Sequence, residues 1–249
     1  LSPLSEADDQ GAFFQLGLAS HALYDAFVEE LRQETGIDPG YRDEGGLLSL
    51  ALSEEAEILL RRRCDWQRQA GFKVEFLSGE DVRSLEPLIT APVRSALLLP
   101  AERSVEPRKL VKALRESCLK RGVEIRTGTR VDGVSKNTAH AGSTKMEASA
   151  IVIACGVWSS ELKGLDPAIP IYPRKGQILS LRMPPGAFRR IIRSQSTYLV
   201  PRNNGELILG ATDEDAGFDA SVTAAGLAKL LTSAMEISWE WFVQTNQVV

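Results

Sequence analysis

Side chains able to do chemistry by themselves are sparse in these 249 residues. His21, His140, Cys64, Cys118 and Cys155 lie far apart. Metal centres take such ligands in close pairs along the chain, so this spacing predicts none, and the cysteines read as reduced thiols in or near the core. The acidic run from Asp213 to Asp219 has enough carboxylates for an acid/base pair. Its polar, glycine-containing setting reads instead as a solvated loop. No nucleophile and no general acid or base is assigned. What remains is Gly156, just past the apolar run Ala150 to Ala154, with Trp158 two residues on and Tyr198 in a strand-like stretch. A glycine beyond a buried strand lets backbone approach a ligand at the carboxyl edge of a parallel sheet. Each has a plain competitor: a turn glycine, a core tryptophan, a core tyrosine.

The elements that must position these residues follow from periodicity. Leu16, Leu23, Phe27 and Leu31 recur at helical spacing and stop at Gly36, which predicts an amphipathic helix and a turn. Gly46 to Leu52 reads as a strand. Ser53 to Ala70 reads as a helix, its start marked by a capping hydroxyl and two carboxylates. Short strands are expected at Lys73 to Leu77 and Arg94 to Pro100. Pro107 suits a first helical position, Leu110, Val111, Leu114 and Cys118 form one stripe, and Gly122 ends that helix. Val123 to Ser135 reads as one strand leading to another, and Ala150 to Ala154 as a strand buried on both faces. Gly176 to Met183, Ser196 to Arg202 and Glu206 to Thr212 are strand-like, the last two joined by Asn203-Asn204-Gly205, a hairpin signal. A last helix is expected near Thr223 to Ile237. The order predicts two interleaved domains, with no internal repeat.

Totals narrow the classes. A chain 43% hydrophobic and 25% charged has the composition of a globular domain with a substantial core. A net charge of −4 supplies no basic field for nucleic acid. No apolar run reaches the roughly 20 residues of a membrane helix, and the first residues lack the order of a signal peptide. The expectation is a cytoplasmic protein without membrane or nucleic-acid partners, with homo-oligomerisation left open.

Four stretches in order, Val105 to Ile125, Ala154 to Leu162 (ACGVWSSEL), Pro173 to Leu181 (PRKGQILSL) and Tyr198 to Asp219 (YLVPRNNGELILGATDEDAGFD), resemble the D-amino acid oxidase superfamily, nearest to its glycine oxidase type of thiamine biosynthesis. The resemblance implies an α/β plus α+β architecture: an incomplete FAD-binding Rossmann-like domain interleaved with a mixed, largely antiparallel substrate-domain sheet. Residues 1–35 and 101–168 would belong to the FAD domain, 36–100 and 169–237 to the substrate domain, and 238–249 to an atypical tail. It implies FAD as cofactor, with a small amino acid and O2 as substrates, and oxidative deamination giving an imine or keto acid, ammonia and hydrogen peroxide. Alternatives are another FAD-dependent amine or hydroxy-acid dehydrogenase, or a non-catalytic fragment. Carried over by position, Val131 would meet the adenine ring through its backbone, Ala154, Cys155 and Gly156 would lie beside the adenosine, and Trp158 would pack nearby. Tyr198 would help hold the substrate carboxylate. Val131 as a plain strand valine remains the competing reading.

Departures accompany the match. The family's GxGxxG loop, which aims backbone amides at a pyrophosphate, does not occur in residues 1–249. The resemblance therefore implies a chain truncated at both ends, starting after the family's first βαβ unit and departing from its pattern after Ile237. The carboxylate-pairing arginine of the family has no counterpart here, and Asp213 stands where an apolar residue is usual.

Overall fold

The computed structural model describes residues 1–42, 45–184 and 186–244. The last five residues of the expected tail, 245–249, lie outside them.

Contacts divide the chain into two compact units: residues 1–121, 176–212 and 222–249 form the first, and residues 122–175 and 213–221 the second. These cuts fall elsewhere than the expected domain limits, because 1–35 and 101–121 group with the unit that holds the large sheet.

That sheet has seven strands, introduced here with the helices between them. The first unit opens with α1 (Pro3–Glu6), α2 (Ala12–Thr35), β1 (Leu47–Ala51), α3 (Glu54–Gln69), β2 (Glu75–Ser78), α4 (Gly79–Leu85), β3 (Ser95–Leu99) and α5 (Pro107–Lys120). The second unit contributes β4 (Gly133–Ser135), β5 (Thr138–Ala141) and β6 (Thr144–Glu147). The chain returns to the first with β7 (Ile178–Arg182), β8 (Ile191–Arg193), β9 (Tyr198–Pro201), β10 (Glu206–Gly210), α6 (Ala224–Met235) and α7 (Trp239–Gln244). The order in the large sheet is β2-β3-β1-β8-β9-β10-β7, antiparallel throughout except where β1 meets β8. A mixed, largely antiparallel sheet was the expectation.

Burial explains the order. Every residue of β1 is buried, as a central strand covered on both faces must be. On one face Leu48, Leu50, Ile192, Leu199 and Leu209 share a core with Ala234 of α6 and Val82 of α4. On the other, Leu47, Leu97 and Leu99 pack against Phe14 of α2 and Leu60 and Cys64 of α3. Phe14 meets Trp66 and Phe72 edge to face, at centroid distances of 5.3 and 5.6 Å. This second core covers the β1-β3-β2 half of the sheet.

The helix limits follow local chemistry. The Ser53 hydroxyl accepts from Ala56 N at the start of α3, and Gly36 closes α2 in the left-handed region at φ 72°. Ser78 and Asp81 make a reciprocal capping box on α4.

Four expectations need correction. The α2 stripe faces a core only in part: Leu31 is buried and Phe27 half-buried, but Leu16 and Leu23 are 72% and 69% exposed, and Phe14 and Val28 are buried in their place. On α5 the buried positions are Ala113 and Ser117, with Val111 turned outward, because close approach to α2 selects small side chains. The Ala150 to Ala154 run is not a buried strand. It pairs with no strand among the described residues, and Val152 is 88% exposed. A β-branched run has strand propensity, but a strand needs neighbours to bond to, and the described residues supply none there. For the same reason Val123 to Thr127 is irregular, and only Gly133–Ser135 of that stretch is a strand.

Candidate functional site

In the second unit, the segments Thr129 to Asp132 and Ala154 to Lys163 run side by side around one cavity of about 1060 Å³. Their spacing is held by backbone. Val134 N donates to Lys163 O at 2.8 Å and Lys163 N to Asp132 O at 3.1 Å. This close pass requires Gly164, at φ 85°: a methyl there would drive into Val134 O. The Asp132 carboxylate accepts from Gly142 N at 2.7 Å, tying the β4-β5-β6 sheet to the cavity wall.

All five residues assigned to the cofactor by resemblance, Val131, Ala154, Cys155, Gly156 and Trp158, line this cavity. Gly156 begins a 3₁₀ helix (Gly156–Glu161) at φ 56°, and a methyl built on it would meet nothing within 4 Å. Trp158 is 59% exposed, so the competing core reading fails for it. Its ring stacks on Phe218 at 6.1 Å and 27°. Val131 lies in a loop, not in a strand as the plain reading had it. Arg130 and Glu161 pair across the rim at 3.1 Å. The donor set is backbone, one indole and mixed charge, which suits a neutral heteroaromatic ring with attached hydroxyls and fits the adenosine end of FAD.

Tyr198 is in the other unit, at the start of β9, paired with Arg193 on β8 and Gly210 on β10. Alternation fixes its face. Leu199 and Pro201 are buried in the core, whereas Tyr198 and Val200, with Arg193 and Ile208 beside them, are half-buried, and Ile178 is 56% exposed. This half of the sheet therefore presents a partly open apolar face with one phenol on it. The ring lies over Gly210, where a methyl would stand 2.6 Å from Cε2 and closer still to Cζ and Oη. Thr197 anchors the corner through a 3.0 Å bond to Gly210 O. Burial pushes the Tyr198 phenol up from its ordinary value. The phenol therefore stays protonated at neutral pH, a donor for an anion.

Arg193 went unnoticed in the sequence. Only the β8-β9 register, set by a tight Ser194 to Thr197 turn, places it across from Tyr198. Its guanidinium pairs with Glu6 and donates to Ser5 Oγ at 3.3 Å, so it is already engaged. Asp213 is likewise engaged, 2.8 Å from Arg174, which supports the solvated-loop reading of the acidic run. Among the described residues no cluster of His, Cys, Asp and Glu could hold a metal ion.

A family model described as FAD dependent oxidoreductase matches residues 1–238, and the chain belongs to that family, whose members are enzymes that use FAD. Within it, the chain is 31% identical over 247 residues to a bifunctional ThiO/ThiG protein of Synechocystis, covering 95% of this chain and 35% of that protein. It is 30% identical to the glycine oxidase of Geobacillus kaustophilus, covering 95% of this chain and 64% of the relative. The crystal structure of that species' glycine oxidase superposes with a TM-score of 0.94 at 28% identity, over 99% of this chain and 68% of the other. The chain thus spans from about a third to under two thirds of the length of these two curated relatives. No helix among the described residues is long and apolar enough to cross a membrane.

Proposed function

We propose that this chain serves an FAD-dependent oxidation of glycine or another small amino acid, with O2 as acceptor and with imine or keto acid, ammonia and hydrogen peroxide as products. The observation that carries the proposal is the convergence of Val131, Ala154, Cys155, Gly156 and Trp158 on one cavity. Likeness to glycine oxidases over nearly the whole chain supports the choice of substrate class.

Bound FAD supplies the two-electron acceptor for the substrate's Cα–H bond. The chain's residues bind and orient. Val131 offers a backbone N–H and C=O to the adenine edge, and Gly156 leaves room for the adenosine to approach the main chain. Trp158 gives it a flat apolar neighbour. Tyr198 donates its phenolic hydrogen to the substrate carboxylate from a face that Val200 and Ile208 keep apolar. The half-buried setting strengthens that bond relative to one in water. No residue is assigned as general base, because orientation of the amine and of its α-hydrogen is what this set can provide. The domain roles expected from the sequence, with Tyr198 in a substrate domain and the five others in an FAD domain, form part of the proposal.

The test has two arms. Adding ADP or FAD to the chain and following Trp158 fluorescence should give saturable quenching that Trp158→Phe abolishes; a folded chain with no response to either ligand refutes the cavity assignment. In a preparation that retains FAD, glycine, sarcosine and a D-amino acid should yield peroxide. Turnover of a hydroxy acid with a dye acceptor, and none of the amino acids, would replace the substrate class.

A further inference from the structure

The acidic run Asp213 to Asp219 lies in the second unit, where one of its residues touches the cavity residue Trp158. Backbone and charge strap the run to Arg174 and Lys175. Lys175 N donates to Glu214 O at 3.0 Å and Glu214 N to Lys175 O at 2.9 Å. Arg174 pairs with Asp213 at 2.8 Å, and the Lys175 side chain, only 8% exposed, pairs with Asp219 at 3.1 Å. Bonds from Ser221 N and Oγ, and then from Lys175, hold the Asp219 carboxyl down at about 2, so it stays charged across the neutral range. Between Glu214 and Asp219 the chain turns: Asp219 N donates to Ala216 O at 3.1 Å, and Gly217 sits in the left-handed region at φ 55°. The residue next to that glycine is Phe218, whose ring stacks on Trp158.

Trp158 needs such a partner. It stands on one short 3₁₀ stretch and is 59% exposed, so no core fixes its side-chain torsions. A flat ring receives a planar ligand in one orientation, and a side chain that must be immobilised on binding costs affinity. The stack with Phe218 sets that orientation beforehand, since offset aromatic pairs at such distances attract beyond the area they bury. Phe218 is itself 49% exposed, so burial in a core does not account for its place. Trp158 is among the described residues that line the cavity and Phe218 is not. The contact therefore leaves the cavity-facing part of the indole for a ligand.

We propose that Phe218 is a positioning residue for the cofactor: strapped down by the acidic run, it holds the Trp158 indole in the orientation that stacks on the adenosine. The inference rests on the reading of the Gly156 cavity as the adenosine site. It also gives the carboxylates of the run a task, which is to pin the turn through Arg174 and Lys175.

The experiment is calorimetric titration of the chain with ADP, in the wild type, Phe218→Ala, Phe218→Leu, Phe218→Tyr, Trp158→Ala and the double variant Phe218→Ala/Trp158→Ala. Phe218→Ala and Phe218→Leu should weaken ADP about threefold to tenfold, and Phe218→Tyr, which keeps the ring, should not. With Trp158 already replaced, Phe218→Ala should change little, because Phe218 acts through the indole. Acrylamide quenching of the fluorescence that Trp158→Phe removes should rise in Phe218→Ala. If Phe218→Ala fails to fold, Phe218→Leu carries the test. Unchanged ADP affinity and quenching in the folded Phe218 variants would overturn the proposal, as would an equal loss with and without Trp158. Where Trp158→Ala weakens ADP and the Phe218 variants do not, this inference alone falls; where the folded wild type binds no ADP, the cavity reading falls with it.

Discussion

Replacing Gly210 by alanine should displace the Tyr198 ring. Gly210 is buried on β10 and faces Tyr198 across the ladder, and its φ is not in the left-handed region, so the backbone itself accepts alanine. The added methyl would stand 2.6 Å from Cε2 and nearer to Cζ and Oη, where ordinary contact begins at 3.4 Å. The ring must therefore withdraw by about an ångström from a strand whose next residue, Leu199, is fully buried, and overpacking of this kind costs about 1 to 3 kcal/mol. Urea unfolding measures the loss. The decisive comparison is the Tyr198→Ala background: with the ring gone, Gly210→Ala should cost much less than in the wild type, giving a coupling of the same size as the single-variant loss. Equal losses in the two backgrounds would refute the argument that Gly210 is there to seat Tyr198. In a preparation that retains FAD, Gly210→Ala should also raise KM for the amino acid.

Glu102 is 1% exposed, accepts from Leu4 N at 2.8 Å, and burial pushes its carboxyl up to about 7. The unfolded chain gives up this proton near pH 4.5 and the folded chain only near 7, so this group's contribution falls as pH rises through that window, by about 1.4 kcal/mol per pH unit, and levels above it. Glu102→Gln should remove that slope; identical urea midpoint profiles against pH for the two proteins would count against it. Arg190→Ala strands the buried carboxylate of Glu86 and should cost about 3 to 5 kcal/mol in chemical denaturation. A loss under about 1 kcal/mol would mean Glu86 takes up a proton or finds another partner. Glu34 accepts from Arg121 and from Ser117 Oγ, which holds its carboxyl down at about 2. Carboxyl NMR titration should find that low value and its return toward the ordinary range in Arg121→Ala.

The sequence made much of the local structure legible. Ser53 before two glutamates, Gly36 after the last turn of α2, Pro107 at the start of α5 and Asn204-Gly205 between β9 and β10 are short-range devices. Their effect is decided by a few neighbouring residues, and the structure has them in those roles. Ala150 to Ala154 read as a buried strand because propensity is local, but pairing depends on strands elsewhere. The helix stripes misled for a related reason. Leu16 and Leu23 have the right period, but which face meets a core depends on what the helix packs against, and β1 and α3 take Phe14 instead.

For the candidate sites the division is similar. Residue order alone singled out Val131, Ala154, Cys155, Gly156, Trp158 and Tyr198, because family motifs are stretches of contiguous chain. Only tertiary structure brought Val131 beside residues more than twenty positions away, through the backbone bonds between Asp132, Val134 and Lys163. Only the β8-β9 register set Arg193 across from Tyr198, and only the bridge between Lys175 and Glu214 carried Phe218 to Trp158. Backbone conformation is set over a few residues and can be read from them. Proximity between distant charges and rings is set by how whole elements close on one another, which no local stretch of sequence records.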